Sequence, residues 1–405
     1  MNEHILLLLI FGSLLCYGLS ARNIEHAGIS APMLITLVGI VSGPLVLNLV
    51  DPQLEHHGLK LMAELTLAII LFTDASQIER AHLLKFEILP IRLLAIGLPL
   101  TFIAGWLLAV PVLGLSWLAA AWLAIMLTPT DAALAQGMIN NSRTDESLRH
   151  TITVESGLND GLALPVLLFI LALMQAGDYA FLDADEWPIF VLQQFVVGSL
   201  MGWFVGRLGG KLVHHASQQG VMLPMYQRIS SLALALLAYA GAEVLGGNGF
   251  IAVFLAGLFL KARHTVVIKR LKEFGEAEGE LLALLVFFLF GLVFVAEAWP
   301  LLQWQHLVYA LLSLTLVRIL PVLIALVGSG IDWRSRFFLA WFGPRGIASI
   351  LYLLMAVEQM GYANSIPEYD NVFATTVLTV LLSIFIHGMS THVFQHWPKK
   401  SATSE

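Results

Sequence analysis

Residues 147–174 read SLRHTITVESGLNDGLALPVLLFILALM, an apolar run with two carboxylates, Glu155 and Asp160, near its middle. A helix needs about 20 residues to cross roughly 30 Å of hydrocarbon, and this run is long enough. On a helix Glu155 lies over Asn159 and Ser156 over Asp160, each pair four residues apart. The four side chains therefore form one polar strip inside an apolar segment. A charge within a membrane costs several kcal/mol unless it is paired or hydrated, so the strip reads as a site buried in a membrane protein.

Comparable runs recur along the chain. About 13 are readable, at 4–20, 30–49, 59–76, 88–111, 116–140, 147–174, 188–214, 228–245, 247–262, 279–297, 306–328, 333–357 and 371–394. The 405 residues are 58% hydrophobic and 12% charged, against about 25% charged in a soluble domain. The fold class is an all-α polytopic membrane protein. Residues 1–4 lack the basic start of a signal peptide, so 5–20 is read as a retained span. No basic patch suggests nucleic acid, and the one cysteine, Cys16, permits no intrachain disulfide.

Lys and Arg collect in the cytoplasmic loops of membrane proteins. One alternating set of loops and span ends holds Arg22, Arg80, Lys85, Arg143, Arg207, Lys211, Lys261, Arg263, Arg334, Arg336, Lys399 and Lys400 among others; the opposite set holds only Lys60 and is otherwise acidic. The pattern predicts an odd number of spans in a bacterial inner membrane, the N-terminus outside in the periplasm and the C-terminus cytoplasmic. A weak symmetry accompanies it. Thr128-Pro129-Thr130-Asp131 interrupts the fifth run and Gly343-Pro344-Arg345-Gly346 the twelfth. An offset of seven spans inverts two halves across the membrane. The expected organisation is one membrane domain, 1–397, with inverted repeats at about 1–174 and 228–397, a linker helix at about 188–214 and a short cytoplasmic tail, 398–405. Such a tail leaves no room for a regulatory domain.

The ionisable residues inside spans are Glu64, Asp74, Asp131, Glu155, Asp160, Glu243, Arg318, Arg345 and His387. Asp74 and Glu243 are read as interfacial, Glu64 and His387 as solitary hydrogen-bonded groups. Pro129 removes a backbone donor and frees carbonyls that lipid cannot satisfy. Together with Asp131 and the two threonine hydroxyls these are hard oxygen donors suited to an alkali cation; a proline kink with Asp131 capping the next half-helix is the plainer alternative. Asp131, Glu155 and Asp160 place three negatives against Arg318 and Arg345, which leaves one for something mobile. Burial favours neutralisation of that anion, by H⁺ or by a metal ion, so the two compete. Glu155 with Arg318 is the preferred permanent pair, with Arg345 the other candidate. Arg345 can offset a half-helix C-terminal dipole as Asp131 can an N-terminal one. An enzyme is not expected: no nucleotide-binding motif is present, and Ser156 has no histidine near it in its helix. A channel would want rings of carbonyls or charges around an axis, whereas inverted breaks favour alternating access.

TPTDAALAQ at 128–136, ESGLNDG at 155–161, GGNGFIAVFLAGL at 246–258 and WFGPRGIAS at 341–349 together resemble the cation/proton antiporters of the NhaP and NHE type, over nearly the whole membrane domain. The resemblance implies an NhaA/NHE-like fold with two crossed, unwound helices, a homodimer and an elevator-type movement. It implies electroneutral exchange of Na⁺ or Li⁺, alternatively K⁺, for H⁺, with no cofactor. On that pattern Asp160 is the ion-binding aspartate, Asn159 marks the electroneutral branch, and Thr130, Asp131 and Ser156 are further Na⁺ ligands. Glu155 is the acid of a buried ion pair with Arg318 or Arg345. Ala132 stands where many relatives have proline.

Overall fold

The computed structural model describes residues 2–49, 56–77, 88–131, 134, 144–178, 187–260, 265–359 and 368–394. Among them all regular structure is helical. The elements are α1 (Asn2–His26), α2 (Ala31–Ser42), α3 (His56–Gln77), α4 (Ile88–Leu113), α5 (Trp117–Met126), α6 (Glu146–Asp178) and α7 (Trp187–Phe204, running on through Val205–Gly209 into Gly210–Gln218). Then come α8 (Pro224–Val244), α9 (Gly249–Leu258), α10 (Thr265–Leu289, running on through Phe290–Phe294 into Val295–Ala298), α11 (Trp304–Ala325), α12 (Trp333–Trp341), α13 (Ile347–Gln359) and α14 (Tyr369–Phe394). Leu93–Gly97, Val205–Gly209 and Phe290–Phe294 are π-helical turns.

Every apolar run carries helix. Among the described residues six helices are long and apolar enough to cross a membrane, and five shorter apolar ones accompany them. The second run is expected to reach residue 49, but α2 ends at Ser42. Gly43-Pro44 follows, Pro44 has no amide to continue the ladder, and the chain closes in turns, with Asn48 N donating to Gly43 O at 2.8 Å. Residues 132, 133 and 135–140 of the fifth run, Ala132 among them, and the tail 398–405 lie outside the described residues, as does the side chain of Asp74.

The chain forms two compact units. One comprises Met1–His56, Glu87–Asn159 and Leu284–Glu405, the other His57–Phe86 and Asp160–Ala283, so that the division falls within α6 between Asn159 and Asp160. In the second unit the row Gly198, Gly202 and Gly206 on α7 lies against Asn248, Ala252 and Ala256 of α9, where a Cβ on any of the three glycines would collide with backbone oxygen. The small-residue row therefore serves packing within the chain. Asn248 Oδ1 caps α9 by accepting from Phe250 N and Ile251 N, both at 3.0 Å, and Glu243 Oε1 accepts from Gly249 N at 2.7 Å. Glu64 interacts with Tyr239 of α8, so it is not solitary. In the first unit Gly39 of α2 meets the backbone of Phe288 and Gly291 that of Thr36. Tyr309 of α11 donates to Gly105 O of α4 at 3.1 Å.

Candidate functional site

Helix α5 ends at Met126 because Pro129 cannot donate to the carbonyl a turn back, and the carbonyls of Thr128 and Pro129 are left without helical partners. Arg345 takes both, its Nη1 donating to Thr128 O at 2.8 Å and Pro129 O at 3.1 Å. Helix α12 stops at Trp341 in the same way, ahead of Pro344, and α13 starts at Ile347. Its first amide, Ile347 N, donates to Asp131 Oδ2 at 2.8 Å, and Asp131 N donates to Pro344 O at 2.8 Å. Each break thus supplies the charge for the other. A guanidinium faces the carbonyl end of α5 and a carboxylate the amide end of α13, both favourable against the helix dipoles. Asp131 thus caps the opposing span, α13. A Cβ on Gly346 would run into the Asp131 carboxylate, so this approach requires glycine.

The polar strip of α6 meets the first break through Thr130. Asn159 Nδ2 donates to Thr130 Oγ1 at 2.6 Å, and Thr130 Oγ1 lies 3.1 Å from Ser156 Oγ, where either hydroxyl can donate. All three side chains are buried. Thr128 does not join them, because its hydroxyl bonds back to Ala124 O at 2.7 Å. Asp160 follows directly on α6, one turn beyond Ser156, and is 9% exposed.

Of the two arginines available to Glu155, Arg318 takes it: Arg318 Nη1 lies 2.7 Å from Glu155 Oε1. Arg318 is carried by a discontinuity that sequence reading misses. α11 bends at Thr315 (φ −113°, ψ −91°), where Leu314 closes one segment and Leu316 opens the next. Pro321 in the following turn was the available signal. Ser349, also unremarked in the sequence, ties α13 to α5 by donating to Met126 O at 2.7 Å.

Discontinuous helices that satisfy one another's backbone, with buried hydroxyl and amide groups gathered beside the break, are an arrangement found in helical secondary transporters. The chain belongs to the sodium/hydrogen exchanger, transmembrane family, whose sequence profile matches residues 9–397. It is 25% identical over 412 residues to the K⁺/H⁺ antiporter NhaP of Alkalimonas amylolytica, covering 99% of this chain and 68% of that protein. It is 24% identical to a Na⁺/H⁺ antiporter of Schizosaccharomyces pombe, covering 90% of this chain and 84% of the other. A probable Na⁺/H⁺ antiporter of the same yeast is matched over 51% of its own length. The fold is similar to that of the sodium proton antiporter MjNhaP1 from Methanocaldococcus jannaschii, with a TM-score of 0.75 at 20% identity, covering 96% of this chain and 100% of that one.

Proposed function

We propose that this chain is a secondary active antiporter exchanging Na⁺ or Li⁺ for H⁺ across a bacterial inner membrane. The observation that carries this reading is the buried Thr130–Ser156–Asn159 cluster at the helix break, one turn from Asp160 on α6. Asp160, Asp131, Ser156, Thr130 and Asn159 are the proposed cation ligands. Carboxylate, hydroxyl and amide oxygens can replace the hydration shell of an alkali cation.

The charge count gives the mechanism. Glu155 and Arg318 neutralise each other, and Asp131 and Arg345 hold opposite charges at fixed helix ends. Among these five groups the remaining negative charge is assigned to Asp160. A cation entering displaces its proton, and a returning proton expels the cation. One proton against one monovalent cation makes the exchange electroneutral, driven by ion gradients alone. The reading includes a homodimer, an elevator-type movement and two inverted repeats joined by α7. The alternation of loop charge supports an external N-terminus and a cytoplasmic C-terminus. K⁺ is the second reading for the cation, supported by the name of the Alkalimonas relative.

Proteoliposomes enclosing a pH-sensitive dye test it. Addition of Na⁺ or Li⁺ should move protons in wild type and not in Asp160→Asn; exchange at the normal rate in that variant would remove Asp160 from the role. Imposed potentials from valinomycin and K⁺ should leave the Na⁺-dependent rate unchanged if exchange is one for one.

A further inference from the structure

Helix α14 carries polar residues at a spacing of four: Asn371, Thr375, Thr379, Ser383 and His387. That spacing keeps them on one helical face. The two threonine hydroxyls are used within α14, Thr375 Oγ1 donating to Asn371 O at 2.6 Å and Thr379 Oγ1 to Thr375 O at 2.7 Å. Ser383 departs from this habit. Its Oγ accepts the backbone N–H of Arg345 at 2.6 Å, from within the break between α12 and α13. His387 Nδ1 lies 3.1 Å from the same Oγ and 3.2 Å from Ser383 O, within hydrogen-bond distance of both. The ring packs on the indole of Trp341, the last residue of α12, with centroids 5.7 Å apart.

We infer that Ser383 and His387 are positioning residues for the exchange proposed above, on which this inference rests. One turn apart on α14, they bracket the break. His387 holds its upstream lip at Trp341, and Ser383 its downstream lip at Arg345. Fixing Arg345 N fixes where the guanidinium departs from the chain. That guanidinium grips the carbonyls of Thr128 and Pro129, and the next residue is Thr130. Neither Ser383 nor His387 touches the cation in this scheme; both act through Arg345.

The test reconstitutes the full chain as wild type, Ser383→Ala, Ser383→Thr, His387→Asn and His387→Leu, and measures exchange rate against cation concentration. Loss of one buried hydrogen bond predicts a rise of about fivefold in the half-saturating cation concentration for Ser383→Ala, with the maximal rate much less affected. Ser383→Thr, which keeps the hydroxyl, should restore it, and His387→Asn, which keeps a hydrogen-bonding group near Nδ1, should be milder than His387→Leu. Amide hydrogen exchange of residues 342–346 provides a readout independent of transport and should quicken in Ser383→Ala. Wild-type saturation together with wild-type amide protection in Ser383→Ala overturns the inference. So does a general loss of folding that Ser383→Thr fails to rescue. If the wild-type chain exchanges none of Na⁺, Li⁺ or K⁺, the antiport reading fails instead, and unchanged protection at 342–346 would still separately reject the bracket.

Discussion

Arg318 Nη1 and Glu155 Oε1 meet at 2.7 Å, with side chains 1% and 2% exposed. The pair joins α11, just past its bend at Thr315, to the polar strip of α6. Removing one partner leaves the other charge buried and uncompensated, which costs about 3–5 kcal/mol, whereas replacing both with apolar groups costs far less. Glu155→Leu should therefore lower the melting temperature of the purified protein sharply, and Glu155→Leu with Arg318→Met should recover most of the loss. A single variant that melts like wild type would show that the pair contributes nothing to the fold.

At Asp131 the carboxylate's charge and its acceptor oxygen can be separated. Asp131→Asn keeps an acceptor for Ile347 N, while Asp131→Ala removes both. Loss of a helix cap costs about 0.5–2 kcal/mol, so the alanine variant should be less stable than the asparagine variant by roughly that amount in chemical unfolding. Both should exchange poorly if Asp131 also serves the cation. Equal stability of the two variants would refute the capping role.

Gly346→Ala sets a methyl group against the Asp131 carboxylate, whereas Gly12→Ala on α1 meets no atom within 4 Å. The first should abolish exchange while the protein still inserts into membranes; the second should be silent. Insertion measured by membrane fractionation and exchange measured in the same vesicles distinguish misplacement of the break from failure to assemble.

The proposed competition at Asp160 fixes the sign of the pH dependence. As pH falls, a larger share of Asp160 is protonated and more cation is needed to displace the proton. The half-saturating Na⁺ or Li⁺ concentration should climb toward about tenfold per pH unit, since one unit is a tenfold change in proton activity, with the maximal rate little changed. A half-saturating concentration independent of pH would separate the proton site from the cation site.

The polar strip at 155–160 and both proline breaks are legible in the sequence because hydrophobic length, helical period and the missing proline amide are local properties. The partners of Arg345 are not. It bonds main-chain carbonyls 216 and 217 residues earlier, and a carbonyl has no residue identity to search for. Ser383 illustrates the same gap: its spacing from His387 is visible, yet its target is an amide. The bend at Thr315 is hidden for another reason, since threonine is not a helix breaker and only Pro321 hints at irregularity. Thr128 and Thr130 look equivalent as ligands until the helix end turns one hydroxyl back onto Ala124.

The interlocked breaks also set an order on biosynthesis. Thr128 and Pro129 leave the ribosome more than two hundred residues before Arg345, as the separation of 216 residues between Pro129 and its partner requires. Throughout the making of α6 to α12 the end of α5 holds carbonyls that lipid cannot serve. The discontinuity after α5 is thus completed only when the break between α12 and α13 has been made, and a nascent protein halted before α12 would present an unfinished span to the quality-control machinery of the membrane.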